Sequence, residues 1–212
     1  MMRSMSDHFY NMVWHIAQPV FWMSSNPIVI GARHTDRPGP YLLAAGNHQS
    51  PYDVPLLMRH CARNIDFVSI SEVFRKPLVG WLYGNMNSFP LDRSRPDAHA
   101  VRTILDRLRH GRVVGMFPEG RFRKGRESVL HTGKIQPGIG RIAKLANVPI
   151  VPCVVLNSML YTRPTSWLPL GRTKYALGFA DPIGPDAEPQ QIEATLVSAF
   201  LKLQAALQQS TR

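Results

Sequence analysis

The sequence predicts an α/β fold with a mixed central sheet flanked by helices and an N-terminal amphipathic helical segment. Of its 212 residues, 44% are hydrophobic and 18% are charged, which is typical of a globular protein that buries a sizeable core. Short apolar runs alternate along the chain with helical patterns, as in α/β proteins. We expect residues 1–25 to form an amphipathic helix open to membrane contact and residues 26–212 to form a single α/β domain.

Residues 6–24 predict a helix that is rich in aromatic and aliphatic side chains and poor in charge. Five apolar residues recur near helical spacing, with Tyr10, Trp14 and Trp22 beside them: Phe9, Val13, Ile16, Val20 and Phe21. Such a helix suits the interfacial layer of a bilayer, and it suits equally a helix that covers the protein core. Both alternatives stay open from the sequence.

No membrane-spanning helix is predicted, because the longest apolar runs fall well short of the ~20 residues that a span needs. Polar residues interrupt the N-terminal segment, so no signal peptide is predicted either. We therefore expect a cytoplasmic protein that is peripherally associated with a membrane.

The remaining elements follow from apolar periodicity and capping residues. Strands are predicted over 26–31, 41–45, 65–70, 113–117, 148–155 and 173–179. Helices are predicted from residue 54, over 78–83, between Asp97 and Gly111, over 139–147 and over 192–207. The last helix places five apolar residues on one face: Ile192, Leu196, Phe200, Leu203 and Leu207.

The segment from Gly46 to Asp53 carries the strongest candidate for catalysis. It follows an apolar strand pattern and leads into a helix, and a turn there can fold Asp53 back onto the His48 ring. An imidazole can accept a proton near neutral pH, and a carboxylate on its other nitrogen fixes the tautomer. No obvious nucleophile lies within the segment, so we expect the pair to act as a base on a substrate hydroxyl. Taken alone, the pair also fits a turn histidine beside a helix-capping aspartate.

The chain is strongly basic, with a formal charge of +11. This charge favours an acidic partner such as an anionic membrane, a phosphorylated substrate or nucleic acid. Arginines cluster at 93–95 and 121–126, as expected for anion binding. No zinc-ligand spacing, basic helix motif or aromatic strand motif points to nucleic acid, so we expect no such partner. Cys61 and Cys153 lie in apolar settings and predict neither a disulfide framework nor a metal site.

Four segments resemble, in order, the signature blocks of the glycerolipid acyltransferase family, which includes the lysophosphatidic acid (1-acylglycerol-3-phosphate) acyltransferases. The first is Asn-His-x-x-x-x-Asp over 47–53, and the second is the stretch from glycine to arginine over 84–93. The third is Phe-Pro-Glu-Gly over 117–120, and the fourth is Val-Pro-x-x-Pro over 148–152. The chain departs from the family at Gln136, where relatives often have a basic residue.

The resemblance implies an O-acyltransferase in phospholipid biosynthesis. It would move a fatty acyl group from acyl-CoA or acyl carrier protein to the free hydroxyl of a lysophosphatidic-acid-like acceptor. His48 would be the base and Asp53 its partner. We expect the acceptor's phosphate and glycerol to bind at Arg93, Glu119, Gly120 and Arg121. The resemblance assigns Arg93 to the phosphate, and the chemistry of Gly120 and Arg121 suits an anion. Glu119 would either orient an arginine or hydrogen-bond the glycerol hydroxyl. No cofactor or metal is expected, because the acyl thioester is itself a substrate.

Three alternatives remain open. The same chemistry could serve a different acceptor, such as glycerol 3-phosphate, another lysolipid, or a lipid-A-type or amino-acid-linked acceptor. The chain could instead be a non-catalytic basic protein that binds anionic membranes or nucleic acid. It could also be a thioester hydrolase that uses the same dyad on water. The basic cluster at 121–126 suits either acyl donor, since both are anionic.

Overall fold

A computed structural model describes residues 5–92, 97–123, 125–169 and 172–211, in which seven strands form one mixed sheet flanked by helices. The strands are β1 (Ser25–Ile30), β2 (Tyr41–Gly46), β3 (Ile65–Ile70), β4 (Phe89–Leu91), β5 (Val113–Met116), β6 (Ile150–Leu156) and β7 (Thr173–Phe179). The helices are α1 (Met5–Ser24), α2 (Asp53–His60), α3 (Ser71–Phe74), α4 (Pro77–Asn85), α5 (Ala98–Arg109), α6 (Val129–Thr132), α7 (Ile139–Ala146) and α8 (Pro189–Ser210). The predicted fold class is confirmed.

The sheet brings the ends of its parallel strands to one edge. Its strand order is β1-β7-β6-β2-β5-β3-β4. The strands from β6 to β4 in this order run parallel, whereas β7 pairs antiparallel with β6 and parallel with β1. All six residues of β2 are buried, as expected for a central strand with helices on both faces. The carboxyl ends of the parallel strands share the edge where α/β proteins place ligand sites.

Alternating side chains along β2 face two layers of the core. Leu42 and Ala44 belong to the layer that contains residues of α5, α7 and α8, while Leu43 and Ala45 belong to the layer that contains residues of α1 and α2. In the first layer, α8 buries the five apolar residues that periodicity placed on one face. Gly46 lets α8 lie close to the sheet, because a Cβ there would come within 3.1 Å of an α8 phenylalanine ring.

The N-terminal helix forms as predicted, and it buries only part of its apolar stripe. Its buried residues are Asp7, Tyr10, Phe21 and Ser24. Ile16 and Trp22, by contrast, are 70% and 68% exposed. The helix therefore covers part of the core and also presents apolar side chains outward. Within the described part of the chain, no helix combines the length and the apolar character needed to cross a bilayer.

A buried ion-pair network fastens α1 to the sheet at the amino ends of β3 and β5. Arg112 donates to both oxygens of Asp7 at 2.6 and 2.7 Å and to both oxygens of Asp66 at 2.6 and 3.0 Å. Asn64 and Asn87 also donate to Asp7. Burial alone would raise the pKa of Asp7, but the hydrogen bonds from Arg112 and the two asparagines hold that pKa below its ordinary value. This network explains why α1 turns a polar residue inward.

Candidate active site

His48 and Asp53 meet at the carboxyl end of β2, in the turn that leads into α2. His48 Nδ1 lies 2.9 Å from Asp53 Oδ2. The Asp53 side chain is fully buried, and the His48 side chain is 14% exposed. The structure therefore brings together the two residues that the spacing suggested as a base and its partner.

Backbone amides of the turn hold the Asp53 carboxylate in place. Asp53 Oδ2 accepts hydrogen bonds from the amides of Gln49 at 2.9 Å and Ser50 at 3.1 Å. Asp53 is also the first residue of α2, where the helix dipole favours a negative charge. An ionised carboxylate can only accept, so His48 Nδ1 is the donor and Nε2 carries the lone pair. Nε2 has no hydrogen-bond partner among the described residues, which leaves it available to a substrate proton.

Two phenylalanine rings flank the His48 imidazole. The Phe117 ring stacks on it with centroids 3.6 Å apart and planes 17° apart, and the Phe122 ring lies at 4.3 Å and 35°. Two rings this close and this nearly parallel to the imidazole cannot share one face, so they lie on opposite faces. Phe117 packs against the core, whereas Phe122 is 49% exposed. The sequence assigned no role to Phe122.

Glu119 is buried and links the His48 backbone to the start of α6. One carboxylate oxygen accepts from the His48 amide at 2.6 Å. The other accepts from the Val129 amide at 2.6 Å and from the Ser128 hydroxyl at 3.2 Å. The sequence placed Glu119 among the residues that contact the acceptor, and that contact stays a prediction. The contacts within the chain position the loop that carries His48.

Asn47 supports the same loop, a role that the sequence did not predict. Its φ of 66° lies in the left-handed region, which asparagine adopts more readily than most residues. Its side chain donates to the Val155 carbonyl at 2.7 Å and accepts from the Ser128 hydroxyl at 2.9 Å. Asn47 thus joins the exit of β2 to β6 and to the start of α6. An asparagine directly before the histidine at a strand end was the available signal.

The predicted anion-binding residues lie in the loop beside the dyad. Gly120 has a φ of 73°, a conformation that favours glycine. Arg121 is exposed, and its guanidinium makes no hydrogen bond or ion pair with the described residues. The amide of Arg123 donates to the His48 carbonyl at 2.8 Å, so the segment that carries Arg121 lies directly against the dyad turn. Arg93, the fourth predicted substrate-binding residue, lies outside the described residues.

Known acyltransferases share this sequence pattern. The profile of a family described as Acyltransferase matches residues 27–156, more than half of the chain. The 1-acyl-sn-glycerol-3-phosphate acyltransferase of Bacillus subtilis is 27% identical over 117 residues, which are 54% of this chain and 53% of that protein. The one from Streptococcus pneumoniae is 29% identical over 147 residues, 68% and 50% of the two chains. A chloroplastic one from Arabidopsis thaliana is 28% identical over 127 residues, 58% and 33%. The match thus spans about half or less of these relatives' lengths.

A solved structure is similar over the whole chain. The 1-acyl-sn-glycerophosphate (LPA) acyltransferase PlsC from Thermotoga maritima superposes with a TM-score of 0.70, covering 100% of this chain and 84% of that one. The sequences are 20% identical, so this likeness shows the fold alone.

Proposed function

The chain belongs to the acyltransferase family, and we propose that it transfers a fatty acyl group from an acyl thioester to the free hydroxyl of a lysophosphatidic-acid-like acceptor. The observation that carries the proposal is the His48–Asp53 dyad at the carboxyl edge of the parallel strands. The names of the relatives, which are 1-acyl-sn-glycerol-3-phosphate acyltransferases, support this choice of acceptor. The donor is acyl-CoA or acyl carrier protein, and the reaction needs no further cofactor.

In this reaction His48 acts as general base and then as general acid. Nε2 takes the proton of the acceptor hydroxyl while the hydroxyl oxygen attacks the thioester carbonyl carbon. A carbon–oxygen bond forms, and the tetrahedral intermediate then expels the thiolate as the carbon–sulfur bond breaks. The proton on Nε2 passes to the departing sulfur, which restores neutral His48. Asp53 stays ionised throughout, fixes the tautomer and stabilises the imidazolium.

The acceptor phosphate is proposed to bind at the loop that follows Glu119. A guanidinium fork such as that of Arg121 matches a phosphate bidentately. The left-handed backbone at Gly120 allows close approach of an anion. By the family resemblance, Arg93 contributes to the same phosphate site. Glu119 is also assigned to this site. It accepts a hydrogen bond from the His48 amide and so holds the loop with His48 beside the bound acceptor.

The apolar faces of α1 and α4 are proposed to lie on an anionic membrane surface, where the lipid substrates are. The exposed apolar residues of these helices are Met5, Met12, Ile16, Val20, Trp22 and Met23 on α1 and Leu78, Val79, Trp81 and Leu82 on α4. An edge-to-face contact between Phe9 and Trp81, with centroids 5.2 Å apart, joins the two helices. Exposed tryptophans suit the lipid interface, and a net charge of +11 attracts anionic headgroups.

The first experiment measures acyl transfer by the purified protein, with labelled acyl-CoA or acyl carrier protein and lysophosphatidic acid. Loss of a general base typically costs about 10²- to 10⁴-fold in rate, so His48→Ala should nearly abolish product. Arg121→Ala should mainly raise the KM for the phosphorylated acceptor. His131→Ala removes an exposed histidine and is the matched control. Wild-type protein that forms no product with either donor, or a His48→Ala variant with wild-type turnover, would contradict the proposal.

Vesicle sedimentation tests the membrane surface separately. Wild-type protein should bind vesicles that contain phosphatidylglycerol more strongly than vesicles of phosphatidylcholine alone. Trp22→Asp with Trp81→Asp should weaken binding, because a charge in the lipid interface opposes burial of the apolar face. Leu201→Asp changes an exposed apolar residue on α8 and should leave binding unchanged. If the Trp22→Asp/Trp81→Asp variant bound the vesicles as strongly as Leu201→Asp does, the assignment of α1 and α4 to the membrane surface would be contradicted.

A further inference from the structure

We propose that Phe122 is a positioning residue that covers one face of the His48 ring and keeps water away from the base. The inference rests on the proposed acyl transfer and deepens it. The cover would make the dyad deprotonate the acceptor hydroxyl in preference to water. The observation behind it is an aromatic ring that is half exposed and yet lies 4.3 Å from the imidazole centroid.

The exposure of Phe122 argues that its ring serves the site more than the core. A large apolar side chain that is 49% exposed forgoes much of the stabilisation available from burial. Phe117, which flanks the other face of His48, already provides the packing with the core. Phe122 belongs to neither buried core cluster, and its ring contact is with the His48 imidazole.

The backbone holds Phe122 over His48 from both sides. On the amino-terminal side, Glu119 accepts the His48 amide at 2.6 Å. On the carboxyl-terminal side, the Arg123 amide donates to the His48 carbonyl at 2.8 Å. These two hydrogen bonds tie the segment that contains Phe122 to the residue that it covers. The ring's placement is thus set by the same loop that positions the base.

A cover is chemically useful because the dyad does not by itself distinguish a substrate hydroxyl from water. If water lost its proton to His48 Nε2 and attacked the thioester carbonyl, the carbon–sulfur bond would break and free acid would form. The thiolate would take the proton from His48, and the acyl group would be wasted. Excluding water from a reacting site is a recognised way to suppress such hydrolysis.

The first test compares hydrolysis with transfer in Phe122→Ala, Phe122→Tyr and the wild type. Free fatty acid and acylated acceptor are measured in the same reaction with labelled acyl-CoA and lysophosphatidic acid. Phe122→Ala should raise the ratio of free acid to acylated acceptor several-fold, and Phe122→Tyr should restore the wild-type ratio. Leu145→Ala removes a side chain of similar exposure on α7 and should not change the ratio. If the rates of hydrolysis and transfer fell by the same factor in Phe122→Ala, the proposal would be overturned, because a purely structural defect lowers both rates together.

The second test does not depend on acyl transfer. Diethylpyrocarbonate modifies unprotonated histidine, and mass spectrometry of peptides gives the rate at each site. Phe122→Ala should raise the modification rate at His48 several-fold and leave the rate at the exposed His131 unchanged. An unchanged modification rate at His48 in Phe122→Ala would overturn the proposal that Phe122 covers the ring. If the wild type transferred no acyl group, the proposed function would fail while this measurement still decided whether Phe122 shields His48.

Discussion

Replacing Arg112 with methionine should destabilise the protein by about 3 to 5 kcal/mol, the usual cost of removing one partner from a buried ion pair. Methionine keeps much of the arginine stem but removes the four hydrogen bonds that Arg112 donates to Asp7 and Asp66, at 2.6 to 3.0 Å. Asp7 and Asp66 would then stay buried, at 4% and 0% exposure, without the Arg112 guanidinium, although Asp66 keeps its contact with Arg107 at 3.2 Å. A domain has only about 5 to 15 kcal/mol of stability in all, so the loss would be large.

The sign of the pH dependence sharpens this prediction. In the wild type, hydrogen bonds hold the pKa of Asp7 below its ordinary value, so the stability that it contributes is present above about pH 4 and is lost below it. Burial raises the pKa of Asp66, and the hydrogen bonds from Arg112 oppose that rise. Without Arg112 the folded pKa of both carboxyls should rise, although Arg107 at Asp66 and the two asparagines at Asp7 still oppose the rise. The variant should therefore gain less stability than the wild type as the pH rises, and its deficit should be larger near pH 7 than near pH 4.

Urea unfolding followed by circular dichroism measures both quantities. Arg109→Met, which changes an exposed arginine at the end of α5, is the matched control and should shift stability by no more than about 0.5 kcal/mol. The reasoning would be refuted if Arg112→Met cost no more than this control. It would also be refuted if its deficit were the same near pH 7 and near pH 4.

Three further predictions concern the dyad, the loop that contacts it and a partly buried histidine, His60. Asp53→Asn should lower kcat by roughly 10²- to 10⁴-fold with little change in KM, because the neutral amide cannot stabilise the His48 imidazolium; steady-state kinetics that show wild-type kcat would exclude this role. Glu119→Gln should destabilise the protein by about 1 to 3 kcal/mol in urea unfolding, since its NH2 group would face an amide donor; an unchanged midpoint would contradict the assigned contacts. Burial, together with the nearby charge of Arg59, lowers the pKa of His60 from 6.5 to about 4. Between these pH values the folded protein binds fewer protons than the unfolded chain, so it loses stability as the pH falls through this range. His60→Gln should reduce that loss, by up to about 3 kcal/mol, and an equally steep pH profile in the variant would show that other groups cause it.

The order and type of most elements follow from local patterns. The strand over Ile65–Ile70 matches its predicted bounds, and the predicted stripe from Ile192 to Leu207 is the buried face of α8. The predicted cap at Asp97 forms as well, since its side chain accepts from the amide three residues on. Periodicity and capping succeed here because they depend on residues close together in the chain.

The N-terminal helix shows where periodicity fails. Its apolar residues fitted both a helix that covers the core and one that contacts a bilayer; in the structure Phe21 is buried, whereas Ile16 and Val20 are exposed. The buried face also includes Asp7, which pairs with Arg112 across 105 positions of sequence. A local pattern cannot contain that contact, because it depends on how β3, β5 and α1 meet in space.

The candidate active site shows the same contrast between local patterns and distant contacts. The sequence by itself determined the α/β class, the pairing of His48 with Asp53 and the presence of a basic loop, because these depend on short contiguous segments. Only the tertiary structure decided that the Glu119 carboxylate accepts the His48 amide and that Phe122 covers the imidazole. Those contacts join segments about seventy residues apart, and they exist only because parallel strands bring the ends of β2 and β5 to one edge of the sheet.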